Sequence, residues 1–156
     1  MYFVPSFPTF VSNDTRMRIM AFDYGTKRVG VAVTDPLQII ASALETIPTS
    51  EIYTFTTNYI SKEPVEAFVV GLPQSLDGTA TDSSAQVAVF IKHLQNRFPQ
   101  IPIHQVDERF TSKMAMQSMV ASGVSKKDRK VKGNLDKISA TIILQTYMEG
   151  RSFKKM

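Results

Sequence analysis

Residues Arg18 to Asp35 constrain the fold of this chain more than any other stretch. Arg18-Ile19-Met20-Ala21-Phe22 reads as a buried strand and Asp23-Tyr24-Gly25-Thr26-Lys27 as a turn. Arg28-Val29-Gly30-Val31-Ala32-Val33 then alternates as a second strand. Asp23 closes the first strand. An ionised carboxylate there is costly to desolvate unless something compensates it, and a metal ion is a common compensator. The competing reading is a turn-initiating Asp, with Gly25 taking up the awkward backbone angles.

The rest of the chain extends this pair into a mixed sheet. Leu37 to Ile47 offers a third extended run, ended by Pro48, which makes a three-stranded antiparallel meander. Ser50 can cap a helix to about Lys62, with Ile52, Phe55 and Tyr59 on one face. Val65 to Val70 is nearly continuous in apolar residues and closes at Gly71-Leu72-Pro73, as a strand covered on both faces does. A helix is expected from Asp82 to Phe98, striped by Val87, Ile91, Leu94 and Phe98. A strand from Ile101 to Val106 ends in Asp107-Glu108-Arg109. A helix from Ser112 to Ala121 stops at Gly123, and a last helix runs from Leu135 to Glu149 with Leu135, Ile138 and Ile142 facing inward. The order β-β-β-α-β-α-β-α-α specifies an α/β fold: a five-stranded mixed sheet, meander plus two parallel strands, flanked by helices.

A length of 156 residues suits one domain with a sizeable core. Cysteine is absent, which removes disulfides and thiolate metal sites and fits a reducing cytoplasm. No stretch has the length of uninterrupted apolar residues that a membrane span needs. A formal charge of +4 is compatible with a polyanionic partner. Residues 1–16 hold Pro5, Pro8 and several aromatics, with no basic residue before Arg16, so they fit neither a signal nor a transit peptide. They read as a tail of unknown role, or as upstream sequence if Met17 is the natural start, and residues 151–156 as a basic end beyond the domain at 17–150.

Chemistry in such sheets gathers at the carboxyl ends of the strands. Asp23 ends the first strand, Glu108 (with Asp107 before it) the last, and Asp136 opens the final helix on the face shared by Ala140 and Ile143. A first-turn Asp also complements a helix dipole, the plain alternative for Asp136. Three converging carboxylates would repel one another, and two magnesium ions would remove that conflict. The ions would also create a site for attack of water on a phosphodiester.

Four blocks then resemble one family. Phe22-Asp23-Tyr24-Gly25-Thr26-Lys27-Arg28-Val29-Gly30-Val31-Ala32-Val33-Thr34-Asp35 is similar to the opening signature of the YqgF family, also called RuvX. Val69-Val70-Gly71-Leu72-Pro73 with Asp77-Gly78-Thr79, then Asp107-Glu108-Arg109-Phe110-Thr111-Ser112, resemble its middle blocks. The basic loop, Asp136 and Ile143-Leu144-Gln145-Thr146-Tyr147 resemble its last. The resemblance covers about Met17 to Gly150. It implies an RNase H-like nuclease related to the RuvC Holliday-junction resolvases, acting in maturation of the 5′ end of 16S ribosomal RNA precursors. It also implies that Asp23, Glu108 and Asp136 are the metal-binding carboxylates, for Mg2+ or Mn2+, with Asp107 the open alternative to Glu108. A junction-resolving role on branched DNA rests on fold analogy, a poor guide to substrate.

Lys126, Lys127, Arg129, Lys130 and Lys132 form the densest basic cluster, either a solvated loop or a phosphate-tracking one. Lys27, Arg28 and Arg109 either extend that nucleic-acid footprint or neutralise the acidic cluster. His93 and His104 fall too far apart in pattern for a zinc site, and Met114, Met116 and Met119 suit helix packing. An actin-like or sugar-kinase ATPase shares an Asp-x-Gly-Thr loop but needs a duplicated domain that this chain is too short to hold. A nucleic-acid-binding adaptor without catalysis is the rival from another class. The expected partners are precursor ribosomal RNA, with the ribosome or its precursors nearby, and no membrane.

Overall fold

The computed structural model describes residues 17–73, 82–107 and 132–155. The Asp77-Gly78-Thr79 loop, the helix expected at 112–121 and most of the basic loop lie outside the described residues. Five strands form one sheet: β1 (Arg18–Tyr24), β2 (Arg28–Thr34), β3 (Ala41–Pro48), β4 (Val65–Leu72) and β5 (Ile103–Asp107), in the order β3-β2-β1-β4-β5. β1, β2 and β3 pair antiparallel, whereas β4 pairs parallel with both β1 and β5. This is the mixed sheet that the sequence implies. Three helices follow in chain order among the described residues: α1 (Ile52–Lys62), α2 (Asp82–Arg97) and α3 (Lys132–Lys155). None of them is long and apolar enough to cross a membrane.

Both faces of the sheet are covered, which is why its central strands are apolar throughout and not merely alternating. One face carries the large side chains. Met20, Phe22, Val31, Phe68 and Val70 pack against Ile52 of α1 and Val87, Phe90, Ile91 and Leu94 of α2. Phe22 meets Phe68 at 5.4 Å and the edge of Phe90 at 5.5 Å between ring centroids, geometries that aromatic quadrupoles favour. The other face carries small ones. Ile19, Ala21, Ala32, Ala67, Val69 and Val106 lie under Ala140, Ile143 and Leu144 of α3. Alanines at the centre of a sheet face let a helix settle close to the backbone. That closeness matters for the site.

Several boundaries differ from the sequence reading for identifiable reasons. Residues 37–40 are a loop, not the start of β3, because Asp35 captures their amides. Its carboxylate accepts from Leu37 N at 3.1 Å, Ile39 N at 2.8 Å and Ile40 N at 2.7 Å, and Gln38 takes a positive φ of 58°. The N–H of Ile40, opposed in part by desolvation and joined by those of Ile39 and Leu37, holds the Asp35 carboxyl below its ordinary pKa. Ser50 caps no helix by its side chain: residues 49–51 form a 3-10 turn ahead of α1, without a side-chain cap. β4 runs on through Gly71 and Leu72, and β5 begins at Ile103 and includes Asp107. α3 starts earlier and ends later than expected. Its buried face centres on Ala140, Ile143 and Leu144 with Ile142 beside them, while Ile138 is only half-buried.

The end of the sheet away from Asp23 is pinned by polar groups. Thr34 is fully buried, and its hydroxyl accepts from Ile19 N at 2.9 Å. Arg18 donates to the Thr34 carbonyl at 3.0 Å and pairs with Glu63 at 3.3 Å.

Candidate active site

Strand parity decides which side chains meet. On β1, Ile19 and Ala21 face α3, so Asp23, two residues further, takes the same face. On β2, Ala32 faces α3, and Gly30 and Arg28 follow by twos. Asp23 sits directly across from Gly30 in the β1–β2 register. At Gly30 the backbone of α3 approaches the sheet closely. A Cβ built there would overlap the carbonyl of Asp136 and lie 3.1 Å from the Asp136 Cβ. The missing side chain of one glycine therefore admits the first turns of α3 and delivers the Asp136 carboxylate beside Asp23. An isolated glycine within an alternating strand is a sequence signal of close backbone approach, and Gly30 carries it.

Asp23 and Asp136 line one cavity of about 420 Å³, together with Tyr24, Gly25, Thr26, Lys27, Arg28, Ser83 and Gln86. The wall formed by residues 25–27 is tied down. Thr49 donates its hydroxyl to the Gly25 carbonyl at 2.6 Å and its N–H to the Lys27 carbonyl at 3.0 Å. A Cβ on Gly25 would come within 2.6 Å of the Arg28 carbonyl, so the turn closes only around glycine. Behind the wall, Tyr24 stacks on Phe90 at 4.6 Å and fixes the cavity to the aromatic core.

Arg28 supplies the cavity's electrostatic partner. Its Nε donates to Asp136 Oδ2 at 3.3 Å, with the arginine 38% and the aspartate 16% exposed. In this structure the guanidinium stands against one of the acids, Asp136. Lys27 lies exposed at the rim. Ser83 and Gln86, on the first turns of α2, add a hydroxyl and an amide that the sequence reading missed. Their i, i+3 spacing at a helix start after a strand end is the available clue.

Not every expected group is placed. Glu108, Arg109, Lys126, Lys127, Arg129 and Lys130 lie outside the described residues, and of Lys132 only the backbone, at the start of α3, is described. Asp107 ends β5 opposite Leu72. Val106 faces α3, so Asp107 takes the opposite face of the sheet from Asp23. The two histidines belong to different layers. His93 of α2 contacts the Tyr53 hydroxyl at 3.2 Å, whereas His104 of β5 stacks on Tyr147 of α3 at 5.0 Å.

Among the described residues, no three His, Asp or Glu side chains gather closely enough to hold a metal by themselves. Two carboxylates on one open cavity do suit a hard divalent cation. Magnesium is commonly held by one or two carboxylates, with phosphate oxygens and water completing its shell. A cation, the Arg28 guanidinium, already stands against one of the pair.

Known proteins share the sequence and the fold of this chain. The model of the RuvX family, described as Holliday junction resolvase, matches residues 17–150. A protein of Bacteroides thetaiotaomicron named "Putative pre-16S rRNA nuclease" is 48% identical over 136 residues, covering 87% of this chain and 99% of its own. Proteins of the same name from Flavobacterium johnsoniae and Amoebophilus asiaticus are 50% and 53% identical, covering 87% and 88% of this chain and 99% and 96% of their own. Among solved structures, Thermus thermophilus RuvC is similar with a TM-score of 0.53 at 14% identity, covering 87% of this chain and 96% of that one. The same enzyme in complex with a Holliday junction substrate gives a TM-score of 0.51 at 17% identity, with the same coverage. At that identity the likeness shows the RNase H-like fold alone. The family match spans the whole sheet and α3 up to Gly150, with Asp23, Gly30 and Asp136 inside it, and the chain belongs to the RuvX family.

Proposed function

We propose that this chain is a divalent-metal-dependent endonuclease that hydrolyses phosphodiesters in structured RNA, with the 5′ end of the 16S ribosomal RNA precursor as its target in the cytoplasm. The observation that carries the reading is the delivery of Asp136 to Asp23 across Gly30, on one shared cavity. The identity of about half to relatives named for that RNA supports the choice of substrate.

In this reading Asp23 and Asp136 hold Mg2+ or Mn2+, as two ions, with Glu108 the third acid. Asp107 is set aside because it takes the sheet face away from Asp23. Bound there, the ions supply a water of lowered pKa and positive charge for the leaving 3′ oxygen. The chain's own groups do the rest. Lys27 at the rim attracts the phosphate backbone, and Ser83 and Gln86 offer a hydroxyl and an amide to sugar or phosphate oxygens. No side chain is needed as nucleophile. Lys126, Lys127, Arg129, Lys130, Lys132 and Arg109 extend the phosphate contacts beyond the cavity.

The test is cleavage of a 16S precursor transcript and, in parallel, of a four-way DNA junction. Asp23→Asn and Asp136→Asn should each abolish RNA cleavage with the melting temperature kept. EDTA should stop the wild type, and Mg2+ or Mn2+ should restore it. Robust cleavage in EDTA overturns the metal reading. Cleavage of the junction but not the transcript overturns the substrate. Normal cleavage by Glu108→Gln together with inactivity of Asp107→Asn reverses the choice of third acid.

A further inference from the structure

The Arg28–Asp136 pair has the geometry of a contact built to be exchanged. Strong arginine–carboxylate pairs are bidentate and shorter than this one. Here one hydrogen bond joins the two side chains, from Nε to Oδ2 at 3.3 Å, and the guanidinium is 38% exposed on the cavity wall. A guanidinium carries five N–H donors in a planar fork, and this hydrogen bond uses one. Arg28 also sits on the face of β2 that carries Gly30, so it reaches the mouth of the cavity without disturbing the core.

Two cations compete for Asp136. The carboxylate cannot satisfy Arg28 and a divalent ion equally, because a doubly charged ion beside it repels a guanidinium a few ångströms away. Arg28 then needs another anion, and a nucleic-acid phosphate entering the same cavity is the one at hand. Arginine suits that second partner as well as the first, since its fork matches both carboxylate and phosphate.

We propose that Arg28 is an exchangeable counter-ion. It holds the Asp136 carboxylate until a divalent cation takes it, and then turns its guanidinium to a phosphate of the bound strand. Arg28 is thereby a positioning residue for Asp136 in the free protein and a substrate contact in the loaded one. It couples metal binding to nucleic-acid binding with a favourable sign, because each ligand removes an obstacle to the other. The inference rests on the metal reading above, and the experiment separates the two.

Mn2+ is titrated calorimetrically into nucleic-acid-free wild type, Arg28→Gln, Asp136→Asn and the double variant. Removal of a partly exposed ion pair predicts roughly two- to fivefold tighter Mn2+ binding by Arg28→Gln. The gain should shrink in the Asp136→Asn background, and Arg28→Lys, which keeps the charge, should bind much as wild type does. Affinity for a short single-stranded RNA is then compared in EDTA and in Ca2+. Arg28→Gln should weaken binding in Ca2+ and leave it nearly unchanged in EDTA. In the wild type, the Arg28 Nε–H resonance should move when Mg2+ is added, which keeps the proposal testable if the variant folds poorly. Unchanged or weaker Mn2+ binding by folded Arg28→Gln overturns the exchange, as does an equal fall of RNA affinity in EDTA and Ca2+, or a resonance that Mg2+ leaves in place. A wild type that binds no Mn2+ overturns the metal reading itself, and the exchange with it.

Discussion

Gly30 bears directly on the site, although it has no side chain to contribute. A methyl group there must displace either the strand or the opening turns of α3, and what it would strike is the Asp136 backbone, which yields poorly. Gly30→Ala should therefore destabilise the fold by about 1–3 kcal/mol in a urea titration, the range for overpacking a close contact. It should also cost cleavage beyond what the fraction folded explains, because Asp136 moves with the helix. An alanine variant of wild-type stability and activity would show that α3 does not depend on this approach. At this scale the sequence is partly readable. Asp23 stands out as a carboxylate at a strand end; Asp136, expected in the first turn of its helix, lies beyond that turn because α3 begins at Lys132, and Ala140 and Ile143, expected on the Asp136 face, do lie against the sheet. The role of Arg28 is not decidable there, since alternation places a side chain on a face but not against a partner 108 positions away.

Elements are easier to read than their ends. Continuous apolar runs locate β1 and β4, alternation locates β2, and the helical stripe locates α2, because covering both sheet faces leaves a strong hydrophobic signal. The β2–β3 connection goes the other way. Leu37, Ile39 and Ile40 look like strand residues, yet they are 54%, 66% and 62% exposed. Three amides bound to one carboxylate outweigh β-propensity there, and periodicity does not register such a local hydrogen-bond set. The loop should depend on that carboxylate. Asp35→Ala should speed amide exchange at Leu37, Ile39 and Ile40 while leaving β4 protected. Asp35 has its folded pKa lowered from 3.8, so its contribution is complete above the ordinary carboxylate value and is lost as pH falls through the lowered one. Exchange at those three amides should accelerate selectively over that acidic window. Uniform acceleration across the sheet would mean that the loop has no separate anchor.

For the whole molecule, charge and chain length carry the expectations. Residues 1–16 precede both β1 and the family match at 17–150, and the hydrogen bond from the Gln38 side chain to the Met17 carbonyl, at 2.8 Å, does not involve them. A chain beginning at Met17 should keep its melting temperature and RNA affinity, and a marked fall in either would place the tail on the core. The basic residues at 126–132 should act through counterion release. Lys126→Ala with Lys127→Ala should flatten the log–log dependence of RNA affinity on salt by about 0.7 for each phosphate no longer neutralised, and leave thermal stability nearly unchanged. An unchanged slope would reduce that run to a solvated loop. The helix that completes the site is also the last of the described elements to be made. A chain still being translated, short of α3, lacks the helix that packs on its alanine-rich sheet face and holds Asp23 without Asp136. Synthesis runs from the amino end and domains fold as units, so the carboxylate pair comes into being only once translation of the domain is nearly over. For most of its synthesis the nascent chain stays beside ribosomal RNA with only half of its acid pair, and that delay follows from nothing more than which residue numbers the two acids bear.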